Sequence, residues 1–159
     1  MTGGGCQFGI ETSSARKAWR TGGDKGDGPV IGIVIVAHGG LAREYLAAVE
    51  HVVGRQPGMA AITIAPDDDR PAKEAEICRA ADAVDTGDGV VVVTDMFGGS
   101  PSNLSLLACS PDNRKILYGA NLPMLIKLAK SRAKPVPEAV AAALAAGRKY
   151  IDSFDGQMG

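Results

Sequence analysis

The uninterrupted run Val30-Ile31-Gly32-Ile33-Val34-Ile35-Val36-Ala37 constrains the fold more than any other feature of the chain. Its β-branched residues favour extended backbone. It shows no apolar/polar alternation, so both faces of the strand must be covered, as in a parallel sheet flanked by helices. His38-Gly39-Gly40 ends it. Gly89-Val90-Val91-Val92-Val93-Thr94-Asp95 has the same character. Shorter strands are expected at Ala60–Ile64 and at Lys115-Ile116-Leu117-Tyr118, the latter ended by Gly119.

Helical spacing fills the intervals. Leu41, Tyr45, Val49, Val52 and Val53 recur near 3.6 residues, and Gly54 suits the C-terminal cap. In the turn Pro66-Asp67-Asp68-Asp69 an aspartate can cap the next helix, and Pro71 fits its first turn. That helix carries Ala75, Ile77, Cys78 and Ala81 and ends near Val84. Gly98-Gly99-Ser100-Pro101-Ser102 opens a third helix that continues through Cys109. Asn121 caps a fourth, from Pro123 to about Arg132. Pro135 and Pro137 break it, and an alanine-rich helix over 137–146 stops at Gly147. Tyr150–Phe154 alternates loosely and reads as an edge strand.

Strands alternating with helices define an α/β class with a doubly wound, mostly parallel sheet, expected in the order 2-1-3-4. Residues 1–28 hold eight of the 21 glycines and lack periodic apolar residues, so a disordered tail is expected there. The domain then occupies residues 29–159.

In such a sheet a ligand sits beyond the carboxyl ends of the two strands where the winding reverses. Those ends are His38-Gly39-Gly40 and Asp95-Met96-Phe97-Gly98-Gly99-Ser100-Pro101. The set brings together an imidazole, a carboxylate, a hydroxyl and flexible glycines. A carboxylate on one ring nitrogen fixes the tautomer and leaves the other as a nucleophile. Asp95 is the natural carboxylate for His38. Gly39, Gly98 and Gly99 allow backbone to approach an anion, and Ser100 adds a hydroxyl. The pattern suits a histidine that accepts a phosphoryl group. Ser100 is equally placed to cap its helix ahead of Pro101. His51 lies mid-helix without glycine neighbours and reads as a surface residue. A hydrolase triad of Ser100, His38 and Asp95 is disfavoured, because Ser102 stands where a nucleophile elbow requires glycine. No P-loop is present.

Net charge is −1 and aromatics are only 4%, which argues against nucleic-acid binding. No apolar run approaches the ~20 residues of a membrane span, and the first thirty residues lack the apolar core of a secretory signal. A cytoplasmic protein is expected. Cys6, Cys78 and Cys109 have no metal-ligand spacing and read as free thiols; neither metal nor cofactor is expected.

Three segments, Val34–Gly39, Val93–Pro101 and Gly119-Ala120-Asn121-Leu122-Pro123-Met124, resemble the enzyme IIA component of the mannose-type sugar phosphotransferase system. The resemblance covers about residues 30–155. It implies that His38 is phosphorylated by the carrier HPr and passes the group to an enzyme IIB partner. It also implies that Asp95 holds the imidazole, that Ser100 lies beside the phosphoryl group, and that residues 148–154 form an edge strand exchanged in a homodimer. Met96-Phe97 departs from the polar-aromatic pair of sugar-transporting members. With no IIB segment before Gly159, a free-standing IIA is expected. A regulatory module switched by His38 phosphorylation, and a subunit serving dihydroxyacetone kinase, remain open alternatives.

Overall fold

A computed structural model describes residues 30–156. Its four strands are β1 (Gly32–His38), β2 (Met59–Ile64), β3 (Val90–Thr94) and β4 (Arg114–Leu117). They form one parallel sheet in the order β2-β1-β3-β4, as the sequence implied. The helices are α1 (Leu41–Val53), α2 (Arg70–Val84), α3 (Ser100–Leu104), α4 (Leu122–Lys130) and α5 (Val136–Lys149).

The unbroken apolar runs are explained by burial on two sides. Ile33, Ile35, Val91 and Val93 face one core with α1, α4 and α5. Val34, Val36, Val90 and Val92 face the other with α2 and the α3 region. Every β3 side chain is buried. Gly32 lets β1 pass close to the end of α2, where a Cβ would stand 2.5 Å from the Val84 carbonyl oxygen. On the second layer Arg114 joins β4 to α2, its Nη2 lying 2.7 Å from Asp82 and 3.0 Å from Asp85.

Local signals mostly perform as expected. Gly54 caps α1 with φ +83°, and its N–H donates to the Glu50 carbonyl. The Asp69 carboxylate accepts from Ala72 N–H, with Pro71 in the first turn of α2. Asn121 caps α4 by accepting from Met124 N–H.

Three expectations are corrected. The third helix ends at Leu104 and is followed by a separate 3-10 turn over Leu107–Cys109. The Ser105 hydroxyl donates to the Pro101 carbonyl at 2.6 Å, occupying an acceptor in that first turn. The last helix does not stop at Gly147 but runs to Lys149. Gly147 is buried, and a Cβ there would meet Met124 Cε at 3.0 Å. The glycine serves close helix packing, not termination. Finally, Tyr150–Phe154 forms no strand within the chain. A strand requires a ladder partner, and α5 delivers this segment to solvent, with Tyr150, Ile151 and Phe154 exposed. Cys109 is a free thiol, and Cys78 is buried in the second core. Cys6 and the glycine-rich segment 1–28 lie outside the described residues.

Candidate functional site

β1 and β3 are neighbours, with Val36 opposite Thr94. Two residues beyond Val36 the chain reaches His38, and one beyond Thr94 it reaches Asp95. Parallel pairing thus brings together side chains 57 positions apart in sequence. His38 Nδ1 lies 2.7 Å from Asp95 Oδ2. The same oxygen accepts from the His38 backbone N–H at 3.0 Å, and Oδ1 accepts from Met96 N–H at 3.0 Å. Both carboxylate oxygens are thereby oriented.

Burial pushes the Asp95 carboxyl upward. The bonds from the His38 backbone, its imidazole and the Met96 N–H outweigh burial and hold it below the ordinary carboxylate range. A carboxylate can only accept, so Nδ1 carries the proton and the Nε2 lone pair is left for chemistry. The His38 side chain is 48% exposed whereas that of Asp95 is 11% exposed. The nucleophilic edge is open to a partner while its orienting group is protected.

Gly99 lies against the ring. A Cβ built on it would come within 3.1 Å of His38 Cε1 and 3.2 Å of Met96 Cγ. Its backbone is extended (φ −81°, ψ 171°), so the position needs glycine for space and not for conformation. Gly98 does need its freedom, with φ +78°. Gly39 also has positive φ, at +53°.

The four candidate phosphate-binding residues are differently engaged. Gly39 N–H donates to the Ile64 carbonyl at 2.9 Å, and Gly98 N–H donates to Ser102 Oγ at 3.1 Å. Those two glycines shape the crevice while their amides are occupied. Ser100 is the first residue of α3, half-buried, and does not cap it; Gly99 takes the cap position. The hydroxyl that closes this turn belongs to Ser102, which also donates to the Gly99 carbonyl at 3.0 Å. Sequence reasoning weighed Ser102 only as an obstacle to a nucleophile elbow. Its local signal is a hydroxyl residue three positions after the glycine that opens a helix, able to bond back to the backbone before that helix.

α1 starts three residues after His38, with Gly40 at its cap position and no side-chain cap. Its first-turn amides have no partner within the helix, so a dipole end favourable to anions begins beside the histidine. The rim is apolar. Met96 and Phe97 are exposed, and the Phe97 ring meets Tyr118 edge-on at 4.9 Å between centroids. His51 is exposed on α1, away from this constellation in the chain. Among the described residues no group of three or more histidine, cysteine or acidic side chains could hold a metal ion. Nor is any helix of the described residues long and apolar enough to cross a membrane.

Known proteins resemble this chain in sequence and in fold. The family model of the PTS system fructose IIA component, EIIA-man, matches residues 32–145. The PTS system mannose-specific EIIAB component of Escherichia coli strain K12 is 30% identical over 127 residues, which is 78% of this chain and 39% of that protein. The chain thus spans well under half of that relative's length. The PTS system sorbose-specific EIIA component of Lacticaseibacillus casei is 29% identical over 98 residues, 61% of this chain and 70% of that one. Among solved structures, the mannose/sorbose specific IIA subunit from Enterococcus faecalis superposes with a TM-score of 0.72 at 24% identity, covering 81% of this chain and 98% of that one. The PTS IIA protein associated with the fucose utilization operon of Streptococcus pneumoniae gives 0.69 at 26% identity, covering 79% and 94%. With the family model spanning most of the domain, the chain belongs to the mannose-type EIIA family of the sugar phosphotransferase system.

Proposed function

We propose that the protein is a phosphohistidine carrier, taking a phosphoryl group from HPr onto His38 Nε2 and passing it to an enzyme IIB component. The observation that carries this reading is the 2.7 Å contact between Asp95 and Nδ1 of a half-exposed imidazole. The lone pair of Nε2 attacks phosphorus as the bond to the donor's imidazole nitrogen breaks, and that nitrogen regains its pair. The Nδ1 proton stays on the hydrogen bond to Asp95, which offsets the positive charge developing on the ring. One nitrogen–phosphorus bond replaces another, so the step is nearly balanced in free energy and reversible.

Ser100 and the backbone at Gly99 supply donors toward the phosphoryl oxygens, beside the start of α1. Gly39 and Gly98 hold the crevice open by their positive φ. The apolar rim of Met96, Phe97 and Tyr118 supports docking by protein partners over small-molecule binding. The name of the Escherichia coli relative couples an A with a B component, which supports a IIB-type acceptor. The exposed Tyr150, Ile151 and Phe154 support exchange of this segment with a second copy in a homodimer. A cytoplasmic setting follows from these partners.

Incubation with phosphoenolpyruvate, enzyme I and HPr tests the proposal by intact-mass analysis. One acid-labile phosphoryl group should appear on the wild type and none on His38→Ala. Labelling that persists in His38→Ala would overturn it.

A further inference from the structure

We propose that Ser102 is a positioning residue for His38, fixing through its hydroxyl the Gly98–Gly99 turn on which the imidazole rests. The inference deepens the phosphocarrier reading and rests on it for its kinetic arm. The Ser102 side chain is buried, the residue being 4% exposed. Its oxygen accepts from Gly98 N–H at 3.1 Å and donates to the Gly99 carbonyl at 3.0 Å. One hydroxyl therefore ties the N–H at the start of the Gly98–Gly99 turn to the carbonyl at its end, and the first glycine sits at φ +78°. Glycine has the widest choice of backbone conformations, so two in succession need an external tie to hold one.

The tie matters because the turn is a wall of the site. Gly99 approaches His38 Cε1, the carbon between the two ring nitrogens, so closely that a methyl group there would press on it. Asp95 holds the ring at Nδ1, and the Gly98–Gly99 turn limits its swing on the Cε1 side. If the turn loosens, the Nε2 lone pair points over a wider cone and the productive orientation is less populated.

The test uses three variants of the full chain. Ser102→Ala removes the clamp, and Ser102→Thr keeps a hydroxyl in place. Ser105→Ala removes a different buried hydroxyl of the same segment, bonded to Pro101 and not to the glycines. Ser102→Ala should slow phosphorylation of His38 by HPr about fivefold, the fold-change equivalent to one neutral hydrogen bond. Ser102→Thr should recover most of that rate. Ser105→Ala should lower the unfolding temperature while leaving the rate within about twofold of wild type.

Nitrogen-15 NMR of the His38 ring in the unphosphorylated protein gives a second readout that needs no donor. Ser102→Ala should broaden or shift the His38 Nδ1 and Nε2 signals, and Ser105→Ala should not. Equal rates, or equal ring spectra, for Ser102→Ala and Ser105→Ala would reduce Ser102 to a structural role. If HPr failed to label the wild type, the phosphocarrier reading would fall, and the ring spectra would still decide whether Ser102 positions His38.

Discussion

Replacing Asp95 by asparagine changes one atom of the site and removes its charge. In the wild type Oδ2 accepts two bonds from His38 and Oδ1 accepts one from Met96 N–H. An amide has one oxygen to offer. With that oxygen toward His38, the NH2 group confronts the Met96 N–H, donor against donor. With the amide reversed, NH2 faces Nδ1, which must then accept, and the proton moves to Nε2, the nitrogen that should attack. The first orientation keeps the correct tautomer but exchanges a charge-assisted hydrogen bond for a neutral one. That exchange costs about 1–2 kcal/mol, or roughly 5- to 30-fold in rate if the full difference is felt in the transition state. Because His38 is half exposed, solvent screening favours the lower part of that range. The reversed orientation lowers the rate further in proportion to its population. The assay is rapid-quench measurement of phosphoryl transfer from HPr at fixed concentration, with circular dichroism to verify the fold. A folded Asp95→Asn protein that reacts within twofold of wild type would refute the argument that a charged orienting group is required.

Three further outcomes follow from the geometry. Gly99→Ala should fold normally, because its backbone is one any residue adopts, yet phosphorylate more slowly because the new Cβ presses on His38 Cε1; single-turnover kinetics and thermal melting together check this. Gly32→Ala should act in the opposite sense on these two measurements. It should destabilise by about 1–3 kcal/mol in urea unfolding through the clash with Val84, while leaving transfer by the folded fraction intact. Stability should also respond to acid through Asp95. Its folded carboxyl titrates below the unfolded value near 3.9, so its contribution is fully present above that pH and is lost as pH falls through the lower folded value. The difference in urea midpoint between wild type and Asp95→Asn should shrink as pH falls below the unfolded value and through the lower folded one.

The readable parts of this protein are those in which one physical demand dominates a segment. Val90–Val93 is apolar at successive positions because helices cover both faces of its strand, and that demand is visible in the residue types. Asp69 and Asn121 cap helices by bonds to amides three residues onward, a purely local requirement. The pairing of His38 with Asp95 was reachable by a topological rule, although neither residue is distinctive alone. Gly147 shows where such reasoning fails. A glycine near a helix end has the same appearance whether it terminates the helix or lets a neighbour approach, and only the packing of Met124 and Asn121 decides between them. Ser100 and Ser102 present the same ambiguity, since two serines two positions apart compete for one capping role.

The sequence by itself determined the sheet, its winding order and the meeting of His38 with Asp95, because these follow from burial patterns and the handedness of crossover connections. Tertiary structure alone decided which amides at the crevice are already bonded, which serine bonds to the glycine turn beside the ring, and how far the last helix runs. Those outcomes depend on ångström-scale distances between segments remote in the chain, and residue order does not encode such distances locally.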